Sequence, residues 1–384
     1  MTFLLSGENV FDYLIERGLC ESEVKSLGKI EPKIAKNFNL LINLSDEEQI
    51  LVKQEPHNRS GETAGEFARE WRIRQFIQQF SELDSWRTWL PEVIDFDLAN
   101  SIMAITYYQD HQNLADFYSQ ENIFPEQIAK TIGSMVATIH RTTFKRQEYQ
   151  DFFAQATDTS NYFPDLLKGL ERISPEIFGQ VPSDGLKFLT LYQRYESLGK
   201  AIALLQKSLQ PCCLVHNDLK LNNLLLPLDW EQTDSIELKL IDWERSSWGD
   251  PAFDLGMLVS SYLSCWLGSL VVSKTLAIEE SLRLAMTPLE LLQPSLVNLL
   301  TTYLTNFPQI LEQQPDFPRR VMQFAGLALI HTIQSLLQYQ KSFNNTGICM
   351  LQVAKTLLCR PEISMQTIFG KSEAELISLS KSIN

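Results

Sequence analysis

Short apolar and polar runs alternate through the first hundred residues. Residues 38–44 and 49–54 are rich in apolar side chains and are separated by the polar residues 45–48, which predicts a β-hairpin. Two further strand-like runs cover residues 93–98 and 101–107. Strands joined by short connections pair antiparallel, so this part of the chain predicts a small antiparallel sheet.

A helical period separates those two pairs of runs and then dominates the rest of the chain. Residues 63–80 carry Phe67, Trp71, Ile73, Ile77 and Phe80 at helical spacing. Beyond residue 109, apolar stripes of the same period occur in residues 128–139, 192–209, 289–303 and 321–338. The pattern therefore predicts an α+β protein with two adjoining lobes. The smaller lobe holds the antiparallel sheet, and the larger lobe is mostly helical.

Length and composition agree with two folded lobes. The chain has 384 residues and a mass of 44.1 kDa, with 44% hydrophobic and 21% charged residues, which is enough to build a sizeable core. Its formal net charge is −14, and a field of this sign repels nucleic-acid phosphates and anionic membrane surfaces. We therefore expect neither nucleic acid nor a membrane as a partner.

Two further observations favour the cytoplasm. The six cysteines are scattered, without a CxxC pair, so neither a zinc site nor a disulfide framework is indicated. The first residues contain no basic leader before a long apolar run, unlike a signal peptide. Residues 255–273 are strongly apolar but include several serines and two glycines, so they predict a buried core helix and not a membrane span.

The residues that suggest chemistry lie around a second predicted hairpin. Two apolar runs, 224–226 and 238–241, are joined by a polar turn. Asn223 precedes the first run and Asp242 follows the second, so both should lie at the same end of the hairpin, with Asp218 on the loop leading into them. An amide oxygen beside a carboxylate suits Mg²⁺, and a further carboxylate can accept or orient a hydroxyl proton.

Such a site also needs a cation for phosphate groups. Lys53 lies near the end of a predicted strand, and the following helix offers Glu70 and, one turn earlier, Glu66. A lysine on a strand that is held by a glutamate on the next helix is typical of phosphoryl transfer, which depends mostly on positioning and charge neutralisation. We favour Glu70 as the partner because it shares a helix face with the apolar residues of that segment.

Three motifs in order resemble a known family. The pattern H-x-D-x-x-x-x-N occurs at His216, Asp218 and Asn223, followed by Ile-Asp-Trp-Glu at 241–244 and Gly-Asp-Pro-Ala-Phe-Asp-Leu at 249–255. In order and spacing the series is similar to the aminoglycoside phosphotransferase and choline kinase family. The resemblance implies a protein-kinase-like fold, with a nucleotide-binding N-lobe at residues 1–108 and a catalytic C-lobe at residues 109–384.

The resemblance also implies individual roles. Asp218 would be the catalytic base or would orient the acceptor hydroxyl, while Asn223 and Asp242 would bind Mg²⁺. Lys53 would contact the α- and β-phosphates of ATP, with Glu70 as its ion-pair partner.

Further roles follow from neighbouring positions. Thr106 and Tyr108 would belong to the hinge that receives the nucleotide base through backbone groups. His216 would brace the catalytic loop, and Asp254 would hold that loop from the start of the buried helix. Lys220 occupies the position where protein serine/threonine kinases place a lysine near the transferred phosphoryl group, so it is a second catalytic candidate.

The sequence departs from the family in three places, of which Lys220 is one. No G-x-G-x-x-G motif is present in residues 28–37, where a phosphate-covering loop is expected, and Trp243 follows the metal aspartate where protein kinases carry Phe-Gly. The leading hypothesis is a kinase that transfers the γ-phosphoryl group of ATP to a hydroxyl of a small molecule, with GTP as the alternative donor. A protein or peptide kinase and a nucleotide-binding pseudokinase remain as alternatives.

Overall fold

A computed structural model of the chain describes residues 3–33, 36–45, 48–154, 183–233, 235–271 and 278–382. The chain divides into two units. The first unit comprises Met1–Leu114 and Asn222–Ser246, and the second comprises Ala115–Leu221 and Ser247–Asn384. The functional division into lobes at residues 1–108 and 109–384 stays a prediction.

The first unit is built on a five-stranded antiparallel sheet with the order β1-β2-β3-β5-β4. Its strands are β1 (Lys29–Lys33), β2 (Phe38–Asn43), β3 (Gln49–Gln54), β4 (Val93–Asp97) and β5 (Ile102–Thr106). Both predicted strand pairs are confirmed, since β2 pairs with β3 and β4 pairs with β5, each antiparallel. Of the predicted turn at residues 45–48, residues 46–47 lie outside the described part of the chain.

Strand β1 changes the interpretation of residues 28–37. We expected this whole stretch to form a phosphate-covering loop, but Lys29–Lys33 pairs antiparallel with β2 over its full length. The sequence missed this strand because its side chains are mostly exposed and carry no apolar period. Residues 34–35 lie outside the described part of the chain.

Helices cover both faces of the sheet. Alternate residues of the strands point to opposite faces, so Ile42 and Val52 form one buried cluster with α1 (Val10–Glu16), and Met103 forms another with Phe67 of α3 (Glu66–Gln79). The prediction of a helix over residues 63–80 is confirmed by α3. The sequence predicted a single helix on this sheet and missed both α1 and the short α2 (Val24–Leu27), which are too short to show a clear period.

The second piece of the first unit is the predicted motif hairpin. Strand β8 (Leu224–Pro227) pairs antiparallel with β9 (Lys239–Leu240) and, on its other edge, with β6 (His111–Asn113). The hairpin is thus confirmed; residue 234 of its turn is outside the described residues.

The second unit is mainly helical, as predicted. Two short strands, β7 (Cys213–Val215) and β10 (Ser247–Gly249), pair antiparallel within it. Its helices are α4 (Leu114–Glu121, which begins at the unit boundary), α5 (Glu126–Thr143), α6 (Gln147–Ala154), α7 (Ser183–Gln193), α8 (Glu196–Lys207), α9 (Pro251–Gly268), α10 (Ile278–Arg283), α11 (Leu289–Asn306), α12 (Gln309–Gln313), α13 (Phe317–Gln340), α14 (Asn345–Cys359), α15 (Pro361–Phe369) and α16 (Glu373–Ser382).

Three of the four predicted helical stripes each lie within one helix, namely α5, α11 and α13. The stripe at residues 192–209 is wrong as a single helix, because α7 ends at Gln193 and α8 begins at Glu196. Tyr195 lies in the break and contacts α14. Its hydroxyl accepts a hydrogen bond from Gln352 at 2.8 Å, and Lys355 Nζ lies 3.9 Å from its ring centroid. These tertiary contacts have no signal in the local pattern.

Helix α9 is the buried core helix predicted at residues 255–273, but it ends earlier, at Gly268, and residues 272–273 fall outside the described part. It begins at Pro251, and the Asp250 carboxylate caps it by accepting the Ala252 N–H at 3.1 Å. Gly256 allows α9 to approach α13 closely, because a Cβ there would lie 2.5 Å from the Phe324 Cβ. No helix of the described residues is long and apolar enough to cross a membrane.

Gly256→Ala should destabilise the protein by about 1–3 kcal/mol, because α9 and α13 cannot separate without losing core contacts. Gly199→Ala is the matched control: Gly199 is an exposed glycine inside α8 with open space around it, so alanine there should stabilise by up to about 1 kcal/mol. Denaturant unfolding of both variants measures the two shifts. Equal shifts of the same sign would contradict the close helix approach.

Candidate active site

The end of the β8–β9 hairpin brings two predicted site residues together in the first unit. Leu224 pairs with Leu240, and the Ile241 N–H donates to the Asn223 carbonyl oxygen at 3.0 Å, so Asn223 and Asp242 occupy the same end. Asp242 adopts a left-handed backbone with φ of 62°, which aspartate tolerates better than most residues. The placement inferred from the hairpin pattern is confirmed.

Lys53 lies beside that hairpin end. It is 8% exposed on β3, and its Nζ is 3.6 Å from Asp242 Oδ1. Burial lowers the pKa of its ammonium group, but the negative charges of Glu70, Asp242 and Glu244 more than offset this, and the pKa of Lys53 is raised overall. The side chain is therefore a buried cation that is stabilised by surrounding carboxylates.

The two candidate glutamates on α3 have different surroundings. Glu66 forms an ion pair with Lys36. Glu70 is 6% exposed, and its negative charge raises the pKa of Lys53. Burial raises the pKa of Glu70, and the charge of Lys53 opposes that rise. In this structure Lys53 forms its ion pair with Asp242, so an ion pair with Glu70 stays a prediction. The charge interaction with Lys53 favours Glu70 over Glu66 as that partner.

The hinge candidates continue from β5. The Thr106 N–H donates to the Glu92 carbonyl at 2.9 Å, and the Tyr107 N–H donates to the Gln49 carbonyl at 3.0 Å. These two donors are therefore used within the sheet, so a base would have to be bound by other backbone groups of this segment. The Tyr108 hydroxyl accepts the Glu92 N–H at 3.2 Å, which fixes the end of the segment.

In the second unit, a buried carboxylate organises the loop that follows β7. Asp254 of α9 is 1% exposed and accepts the backbone N–H groups of His216 at 2.7 Å and Asn217 at 2.9 Å. The His140 Nε2–H donates to the same carboxylate at 3.2 Å, and its Nδ1 accepts from the Tyr303 hydroxyl at 3.0 Å. The contact expected of Asp254 is present, and His140 is a hydrogen-bonded structural histidine.

That loop presents Asp218 and Lys220. The Asp218 N–H donates to His216 Nδ1 at 3.3 Å, which agrees with a bracing role for His216. Lys220 Nζ donates to both oxygens of Asp218, at 3.0 and 3.2 Å, and its side chain is 38% exposed. The buried carboxylate of Asp218 is thus paired with the ammonium group of a partly exposed lysine.

Sequence reasoning missed two residues that hold these elements. Asn217 has φ of 62°, and its Nδ2 donates to Ser247 Oγ at 2.8 Å. Arg69, directly before Glu70 on α3, donates from Nε to the Glu244 carbonyl at 2.9 Å. Backbone carbonyls and left-handed conformations leave no mark on hydrophobic periodicity, and only the run of polar residues near each motif could have drawn attention to them.

The chain is similar to known proteins in sequence and in fold. Residues 37–280, more than half of the chain, match the Phosphotransferase enzyme family, APH. No curated protein matches the chain in sequence.

Among solved structures, the ADP-bound aminoglycoside phosphotransferase APH(2'')-Ib has a TM-score of 0.51 at 13% identity, over 92% of this chain and 99% of that one. The streptomycin–ATP–APH(2'')-IIa ternary complex has a TM-score of 0.50 at 14% identity, over 93% of this chain and 99% of that one. Choline kinase LicA from Streptococcus pneumoniae has a TM-score of 0.47 at 16% identity, over 91% of this chain and 98% of that one.

At such identities the likeness concerns the fold, whereas the family match rests on the sequence itself. The chain belongs to the phosphotransferase enzyme family, and its fold is the protein-kinase-like fold that its sequence motifs indicate.

Proposed function

We propose that this phosphotransferase transfers the γ-phosphoryl group of ATP to a hydroxyl group of a small molecule, with Mg²⁺ as cofactor. The observation that carries the proposal is the buried Lys53 cation beside Asp242, at the hairpin end that also holds Asn223. A cation for phosphates and oxygen ligands for a metal are the two parts that phosphoryl transfer needs at the donor side.

Lys53 is the proposed contact for the ATP phosphates, with Glu70 holding its charge and position. Two neighbours by fold were solved with ADP and with ATP, which supports an adenine nucleotide for this chain, and GTP is the alternative donor. Thr106 and Tyr108 would flank the base at the end of β5. In this structure Asp242 compensates the Lys53 charge, a role that phosphate oxygens would take over.

The donor set at the hairpin end fits Mg²⁺. Asp242 offers a carboxylate whose side chain is 43% exposed, and Asn223 offers an amide oxygen, both hard ligands of the kind that Mg²⁺ prefers. When bound, Mg²⁺ supplies positive charge to the phosphate oxygens. The protein's part is to fix both side chains through the short β8–β9 ladder.

Asp218 is the proposed base or orienting group for the acceptor hydroxyl. Its backbone is held through His216 and Asp254, so its carboxylate is positioned by buried groups. Lys220, which pairs with Asp218 in this structure, would turn toward the transferred phosphoryl group.

The short segment between Asp242 and Asp250 favours a small acceptor over a protein. Within it, Trp243–Arg245 forms a single 3-10 turn and Ser247–Gly249 is strand β10 paired with β7. A protein kinase needs a longer segment here as a platform for an extended peptide and as the site of regulatory phosphorylation. Lys220 is the one feature that favours the protein-kinase alternative.

The pseudokinase alternative is disfavoured by the intact residue set. Asp218, Asn223, Asp242 and Lys53 are all present, and Lys53 keeps its charge although it is buried. A regulator without catalysis would not require this combination. The first test is a kinase assay over a metabolite library that reads ADP release and product mass.

Asp218→Asn and Asp242→Asn should separate binding from chemistry. Asp218→Asn should lower kcat by on the order of a hundredfold or more while leaving ATP affinity nearly intact, because it removes only the base or orienting group. Asp242→Asn should abolish Mg²⁺-dependent turnover, because it removes the one charged metal ligand. Steady-state kinetics and ATP titrations measure both effects.

The control for these variants is Asp316→Asn, an exposed aspartate of the second unit before α13, which should leave both quantities unchanged. Turnover by Asp218→Asn at the parent rate would contradict the assignment of Asp218.

Labelled ATP should mark a small molecule and not a protein. The enzyme is incubated with a metabolite pool and with a native or denatured protein extract, and the label is followed by chromatography and gel electrophoresis. We expect Asp218-dependent label among the metabolites, because the segment after Asp242 is too short for a peptide platform. Asp218-dependent label in other proteins, with none in small molecules, would instead establish the protein-kinase alternative.

A further inference from the structure

A buried carboxylate outside the predicted site holds the helix that carries Glu70. Glu55 follows β3 and is 1% exposed. Its Oε1 accepts the Glu66 N–H at 2.8 Å, and its Oε2 accepts the Phe67 N–H at 3.2 Å. These are the first two N–H groups of α3, so Glu55 caps this helix from a distant position in the chain.

The local sequence at the start of α3 explains why a distant cap is needed. The residue before the helix is Gly65, which has φ of 72° and no side chain to accept the free N–H groups. The first N–H groups of a helix have no partner within the helix, and a negative charge there also interacts favourably with the helix dipole. Glu55 supplies both the acceptors and the charge.

The cap is itself fixed by the sheet. The Ser101 hydroxyl donates to Glu55 Oε2 at 2.5 Å, and the Glu55 N–H donates to the Ser101 carbonyl at 3.1 Å. A buried carboxylate is costly unless its oxygens accept hydrogen bonds, and here three donors satisfy them. Glu55 therefore joins the strand that carries Lys53, two residues earlier, to the helix that carries Glu70.

Two further contacts hold α3 along its first turns. Phe67 is 1% exposed and packs in the cluster that contains Met103 and Ile105, while Arg69 donates to the Glu244 carbonyl. Together with the cap, these contacts define the position of Glu70 relative to Lys53.

We propose that Glu55 is a positioning residue for phosphoryl transfer, which acts by holding α3 so that the charge of Glu70 stays near Lys53. The inference rests on the proposed function, because it assigns Glu55 a role in the use of ATP. A merely structural cap would lower stability without changing how Lys53 and Glu70 work together. A positioning residue must act through Glu70, and that dependence can be measured.

The test is a double-mutant cycle of Glu55→Gln and Glu70→Gln, read as kcat/KM for ATP. Glutamine keeps the shape of Glu55 but removes its charge and one N–H acceptor. We expect each single variant to lower kcat/KM by about tenfold, as for the loss of one good cap or ion partner. The kcat/KM of the double variant should be about equal to that of the less active single variant, because both changes break the same arrangement.

Glu62→Gln is the matched control, since it removes an exposed glutamate from the same β3–α3 connection and should change nothing. Ser101→Ala is the milder second variant, which removes one donor to Glu55 if Glu55→Gln does not fold. It should lower kcat/KM about twofold in the parent and have no effect in the Glu70→Gln background. Amide exchange should accelerate at Glu66 and Phe67 in both cap variants.

If the parent enzyme is active and the losses in kcat/KM of the two single variants multiply in the double variant, the positioning role is overturned and Glu55 is only a stabilising cap. Unchanged amide exchange at Glu66 and Phe67 would overturn the cap itself. A parent enzyme that releases no ADP with any acceptor would overturn the proposed function, and this result is visible before any variant is made.

Discussion

A lysine that must remain charged while buried is the constraint on which the first unit depends. Taking the Lys53 ammonium group out of water is costly, and only nearby carboxylates can compensate that cost. Asp242 reaches it from the hairpin end and Glu70 acts on it from α3. The sheet, the helix and the hairpin therefore have to meet around one side chain. In the proposed function, this cation would exchange carboxylate for phosphate oxygen.

The second unit also contains a buried charge that needs compensation, but this charge is negative. Asp254 is a buried carboxylate that accepts two backbone N–H groups of the loop and the His140 ring. Hydrogen bonds from the loop backbone stabilise the charge, and the charge in turn fixes the backbone before Asp218. In each unit, the compensation of a buried ionic group thus determines where a proposed site residue lies.

Much of the fold could be predicted because its signals are local. The apolar runs of β2 and β3 and those of the β8–β9 hairpin, each pair separated by a polar turn, give each strand its partner, and the second hairpin alone places Asn223 beside Asp242. Features that depend on tertiary contacts could not be predicted. The break at Tyr195 is stabilised by α14, and the cap of α3 comes from Glu55, eleven residues before the N–H group that it accepts. Neither leaves a period in the sequence.

The central claim, that the hairpin end beside Lys53 is the metal–phosphate centre, is tested most directly by the Mg²⁺ dependence of ATP affinity. Calorimetric titrations with Mg²⁺ and with EDTA compare the parent and Asp242→Asn. In the parent, Mg²⁺ should strengthen ATP binding by about tenfold or more, and in Asp242→Asn that gain should disappear. An equal gain in both proteins would contradict the claim, because the metal would then be held elsewhere.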